Sequence, residues 1–118
     1  MPSYARKHQL TNSLIYHVFN RSNARTPIFN NQDDFQHFLK LLKDYKDKFN
    51  FKLYHWVVMP NHYHLLLELE NPDNVSKLMA GLSRAYTHYY HRNYFTVGFL
   101  WQGRFKLQPV QKDDYLIA

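Results

Sequence analysis

Two histidines stand one residue apart in VVMPNHYHLLLEL, residues 57–69. Side chains alternate across an extended strand, so His62 and His64 share one face while Tyr63, Leu65 and Leu67 take the other. Two neutral imidazoles on one side of a rigid strand form a preorganised half-site for a divalent metal. The same spacing also arises where a polar strand end simply carries two surface histidines. Glu68 falls on the histidine face but several residues along, so acids suited to act as a base are scarce near the pair. His55 alternates with Val57 and Met59, and it approaches the pair if the two faces coincide. His17, His37, His88 and His91 show no pairing in the sequence.

The cations are the second group that bears on chemistry. Arg21 and Arg25 lie in the polar stretch RSNARTPIFNNQ, residues 21–32. Arg104 and Lys106 flank Phe105, and alternation puts the two cations on one face and the ring on the other. Arg84 belongs to the polar face of a helix, with Lys77, His88 and Arg92. Such side chains grip phosphates or are merely solvated. The chain carries a formal net charge of +6 over 118 residues, with 10 Tyr and 9 Phe. A small basic domain rich in aromatic rings suits a polyanion, of which nucleic acid is the commonest. Phe99 is placed to stack on a base. Trp101 and mid-strand Trp56 are expected in the core.

Composition excludes other classes. With 45% hydrophobic residues, the chain is globular rather than disordered. It has no cysteine, which removes disulfides and thiolate metal sites and points to a reducing cytoplasm. The opening MPSYARKHQL has no apolar core of a signal peptide. No apolar run approaches the roughly 20 residues needed to span a bilayer. The length predicts one domain over 1–118, with the first 12 or so residues an edge or flexible segment.

The elements that must position these residues follow from periodicity. Residues 13–20 are rich in β-formers and read as a strand. Phe35, Phe38, Leu42, Tyr45 and Phe49 recur at helical spacing from Asp33 to Asn50, and Asp33 and Asp34 suit the start of the helix dipole. Residues 51–59 and 62–70 read as strands joined at Pro60–Asn61, an antiparallel hairpin. Asn61 is explained there by the turn alone. Val75, Leu78, Met79, Leu82, Tyr86 and Tyr89 mark the inner face of a second helix over about 75–92. A last strand is expected near 105–110, and KDDYLIA opens a C-terminal helix. The order β-α-β-β-α-β is the ferredoxin-like α+β pattern: an antiparallel sheet with two helices on one face and the other face free.

Three stretches together resemble a known family. MPNHYHLLLE resembles the metal strand of the HUH single-strand nucleases, and more narrowly of the single-tyrosine transposases of insertion sequences and their REP-associated relatives. YHVFNRSNARTPIF is similar to that family's first strand and arginine loop, and GFLWQGRFKLQPVQKDDYLIA to the segment after its second helix. The likeness covers about residues 13–118.

The resemblance implies cleavage and strand transfer of single-stranded or hairpin DNA through a 5′-phosphotyrosine link. It implies Mg²⁺ or Mn²⁺ held by His62, His64 and a third polar ligand. Two imidazoles favour Mn²⁺ on grounds of softness. It further implies bacterial or archaeal origin, association with the nucleoid, and a monomer or a homodimer. The family's attacking tyrosine sits on the helix after the last strand, with Gln or Asn about one turn later. Tyr115 is the only tyrosine there, and no Gln or Asn follows it. In the REP-associated branch a pair like Tyr115–Leu116 precedes the nucleophile by about two turns, a register that puts nucleophile and third ligand past Ala118. Two other readings stand beside this one. One is a non-catalytic nucleic-acid-binding module, a truncated or decayed transposase. The other is a metal-dependent hydrolase that uses water.

Overall fold

The computed structural model describes residues 15–71 and 73–110. Strand β1, Ile15–Arg21, leads into a short 3₁₀ turn at Asn23–Arg25. Helix α1 is Gln32–Phe49, strand β2 is Phe51–Met59 and strand β3 is His62–Leu69. Helix α2 is Asn74–Tyr94, and strand β4 is Lys106–Val110. Over the described residues the expected element order is the observed one, and the C-terminal helix expected of KDDYLIA lies outside them. One boundary differs in a way that matters: Arg21 closes β1 instead of opening the loop.

The four strands form one antiparallel sheet in the order β2-β3-β1-β4. Only β2 and β3 are both sequence neighbours and sheet neighbours. The two β-α-β units each leave a gap, and the central strands β1 and β3 fill them. Pro109 sits in β4, an edge strand, where its missing N–H costs the ladder little.

Local chemistry explains where the helices begin and end. Asn31 has extended backbone and its side chain accepts from the Asp34 N–H, capping α1. Asn50, at φ 53°, ends the helix in the left-handed region that asparagine tolerates. Asp34 does more than suit the dipole. It is 1% exposed, and it accepts from the Tyr89 hydroxyl at 2.7 Å, the Tyr94 hydroxyl at 2.6 Å and the Asn30 N–H at 3.0 Å. One buried carboxylate thus ties the start of α1 to the end of α2.

The core lies between the sheet and the two helices. Strand β3 alternates strictly: Tyr63, Leu65, Leu67 and Leu69 are buried, and His62, His64, Leu66 and Glu68 are half-buried on the other face. Phe38 and Leu42 of α1 meet Leu78, Met79, Leu82 and Tyr86 of α2 over that apolar side. Each fully buried large apolar side chain contributes about 1.5–3 kcal/mol, so this face sets the register. Trp56 departs from expectation. It is 46% exposed, because β2 is the sheet edge and Phe51 alone of its residues is buried. Trp101 packs as expected, half-buried against Tyr63 and Tyr86 with its Nε1–H donating to the Ser83 carbonyl at 3.3 Å.

Candidate functional site

The sheet face turned away from the helices carries the site. Register across the strands decides its membership. His64 pairs with Phe19 on β1 and Val57 on β2, and Phe19 pairs with Lys106 on β4. His62 pairs with Arg21 and Met59. The sheet therefore gathers His62, His64, Arg21 and Lys106 from three strands separated widely in sequence. They line a cleft of about 520 Å³ together with Phe19, Asn20, Gln102, Gly103 and Arg104.

The segment 101–104 is stitched beside β1 by its backbone. The Gln102 N–H donates to the Arg21 carbonyl at 3.1 Å, and the Asn20 amide donates to the Gly103 carbonyl at 3.1 Å. Asn20 is only 6% exposed, and its Oδ1 accepts from the Arg21 N–H at 2.9 Å. This buried amide holds Arg21 and Arg104 at the same rim. Sequence reasoning missed Asn20 and Gln102. A polar Asn at a position whose alternation partners, Tyr16 and Val18, are buried was the available signal.

Both histidine rings are tied back on their Nδ1 side. His62 Nδ1 lies 2.8 Å from Asn61 Oδ1, and His64 Nδ1 lies 2.9 Å from His17 Nε2. The Asn61 amide nitrogen donates to the Arg25 carbonyl at 3.4 Å, which leaves its oxygen for the ring. Asn61 thus has a role beyond the turn. His17 and Phe19 stack in line with His64, at ring separations of 4.7–5.5 Å. His64 holds a proton less readily than an ordinary imidazole. Burial is the main cause, and the neighbouring His17 and His62 add to it. A ring kept neutral in this way is ready to be a ligand.

The donor set suits half of a divalent-metal site. Among the described residues, each Nε2 lacks a protein partner and each Nδ1 has one, the arrangement in which a backing hydrogen bond orients a ligating imidazole. No group of three or more His, Asp or Glu among the described residues is placed to hold an ion. Tyr115 lies outside the described residues.

The structure separates the other candidates. Arg25 sits in the 3₁₀ turn at φ 57° and is not part of the cleft lining. Arg84 lines a second cleft with Phe99 and Asn23, and that cleft meets the first at Gln102, Gly103 and Arg104. Phe99 is 90% exposed, as a stacking ring requires. His55 does share the histidine face, but its register partner is Leu66, one pair further along. Glu68 is engaged by the Tyr54 hydroxyl.

The family profile described as IS200-like transposase matches residues 10–118. The chain belongs to the IS200-like transposase family. No curated protein matches it. Among solved structures, a REP-associated tyrosine transposase bound to a REP hairpin superposes with a TM-score of 0.72 at 20% identity, over 89% of this chain and 61% of that one. A protein of Deinococcus radiodurans R1 assigned as a transposase superposes with a TM-score of 0.66 at 21% identity, over 88% of this chain and 84% of that one. At these identities the two structures establish a shared fold. This IS200-like transposase chain spans 61% of the length of the REP-associated protein. No helix among its described residues is long and apolar enough to cross a membrane.

Proposed function

We propose that this transposase-family chain binds single-stranded or hairpin DNA and positions a scissile phosphate over His62 and His64 for attack by a tyrosine. The observation that carries this reading is the convergence of two backed imidazoles with Arg21, Arg104 and Lys106 around one open cleft. His62 and His64 would hold a divalent ion, Mg²⁺ or Mn²⁺, through their Nε2 atoms, and such an ion would supply Lewis-acid polarisation of the phosphate. The three cations offset the charge of the flanking phosphates and fix the strand. Phe19, stacked on His64, makes part of the cleft lining apolar beside the histidine pair. The tyrosine oxygen attacks phosphorus as its proton leaves, the P–O bond to the 3′-oxygen breaks, that oxygen takes a proton to leave as a 3′-OH, and a 5′-phosphotyrosine link stores the bond for rejoining.

Three measurements test this. Mn²⁺ is expected to raise the melting temperature by mass action on the native state, and His62→Ala with His64→Ala should abolish the shift. An undiminished shift in that double variant places the ion elsewhere. Hairpin DNA with a single-stranded flank is expected to bind more tightly than plain duplex. Its affinity should fall steeply with salt, and replacing Arg21, Arg104 and Lys106 by Ala should flatten the slope by about 0.7 per lost single-strand phosphate contact. Equal binding to RNA and DNA hairpins of one sequence supports a binding module instead. Incubation with Mn²⁺ and peptide mass spectrometry then identify the nucleophile. A DNA adduct on Tyr115 assigns that residue, and cleavage without any adduct supports a hydrolase that uses water.

A further inference from the structure

His17 entered with no role visible in the sequence, yet its ring is the sole partner of His64 Nδ1 among the described residues, at 2.9 Å. The two strands place it there: His17 is half-buried on β1, two residues from Phe19, whose register partner is His64. We infer that His17 is a positioning residue, accepting a hydrogen bond from His64 Nδ1–H and so holding His64 in the tautomer whose Nε2 is bare toward the cleft. The inference rests on the reading of His62 and His64 as metal ligands.

A neutral imidazole carries one proton, on Nδ1 or on Nε2, and only the bare nitrogen ligates. Free imidazole side chains favour the Nε2–H form, which is the wrong one for a ligand presented through Nε2. An acceptor at Nδ1 reverses that preference. At His62 the acceptor is unambiguous, because it is the amide oxygen of Asn61. His64 has no amide or carboxylate there, and the lone pair of a second imidazole takes the place. The two ligand rings are then prepared in the same sense by different partners. Ring stacking adds orientation: His17, Phe19 and His64 lie within 28° of parallel, which holds the plane of the His64 ring, while the contact at Nδ1 decides which edge faces the cleft.

The test uses the full chain without metal first. Long-range ¹H–¹⁵N NMR of the histidine rings at a pH where His64 is neutral reads the tautomer directly. The wild type is expected to show His64 as Nδ1–H. His17→Phe keeps an aromatic ring in the stack but removes the acceptor, and should return His64 toward Nε2–H. His17→Gln restores an acceptor and should restore Nδ1–H. Titration with Mn²⁺ alone, by calorimetry, is expected to show about a 10-fold or greater loss of affinity in His17→Phe and recovery in His17→Gln. Wild-type His64 found as Nε2–H, or a tautomer unmoved by His17→Phe in a chain with an unchanged amide spectrum, overturns the inference. So does an Mn²⁺ affinity that His17→Phe leaves intact while His64→Ala lowers it. If neither His62→Ala nor His64→Ala affects Mn²⁺ binding, the metal reading has failed, and the metal-free tautomer spectra still decide whether His17 sets His64.

Discussion

At the scale of the residue, single polar side chains buried in the right place organise this molecule more than any surface charge. Asp34 receives three hydrogen bonds while 1% exposed. Replacing it by Ala leaves two tyrosine hydroxyls and a backbone N–H without their acceptor. Hydrogen bonds to a charged group contribute about 1.5–3 kcal/mol, and the strain of the orphaned donors is partly relieved because Tyr94 is near the surface. The expected cost is about 3 kcal/mol, read as a drop in the urea midpoint with unchanged slope. Asp34→Asn should cost less, since its amide oxygen still accepts. A loss below about 0.5 kcal/mol in Asp34→Ala would show that the hydroxyls find water instead.

At the scale of the element, the two helices meet at Gly81, where an added Cβ would have to displace a tyrosine ring. A Cβ built on Gly81 would lie 2.8 Å from the Tyr45 ring. Glycine in a helix interior otherwise costs about 1 kcal/mol relative to Ala. Two effects therefore oppose each other in Gly81→Ala: better helix propensity, and displacement of a ring that stacks on Phe49. Since the close contacts are with the far end of the half-buried Tyr45 side chain, which can shift at small cost, the single change is expected to be near neutral. In a Tyr45→Ala background the clash is gone, and Gly81→Ala should stabilise by about 1 kcal/mol. A double-mutant cycle in urea measures the difference. Equal effects in both backgrounds would mean that the ring does not depend on the missing Cβ.

At the scale of the whole molecule, the heavy tyrosine load makes the fold sensitive to alkali. Burial pushes the Tyr16 hydroxyl up to about 12 from 10.0, and burial with the Asp34 hydrogen bond does the same for Tyr89. Tyr63 and Tyr86 are also pushed up by burial. Each of these groups is harder to ionise in the folded chain than in the unfolded one. Well below pH 10.0 these hydroxyls are neutral in both states and their contribution to stability is full. As pH climbs from there through about 12, the unfolded chain releases protons that the folded chain retains, so stability falls. Melting temperatures measured across this window should drop, with a tyrosinate absorbance step accompanying unfolding. Full ionisation of all ten tyrosines while the chain stays folded would contradict this account.

Periodicity is a local property, and it was legible. The spacing of Phe38 and Leu42, the alternation of HYHLLLEL and the break at Pro60–Asn61 determined two helices, a hairpin and a face shared by His62 and His64. What the neighbours of that face are is not local. Arg21 meets His62, and His17 meets His64, because β1 inserts between β3 and β4, a pairing across 41 and 47 residues that no window of sequence contains. The same cause exposes Trp56: a mid-strand tryptophan reads as core until the sheet order puts β2 at an edge. It also separates Arg25 and Arg84 from the first cleft while bringing in Asn20 and Gln102, whose partners are backbone groups of a segment some 80 residues away. The sequence by itself determined which side chains face outward together, because alternation follows from backbone geometry. Only the tertiary structure decided which of them share a cleft and which ring nitrogen is left for a ligand, because hydrogen bonding between strands is set by the order of the sheet.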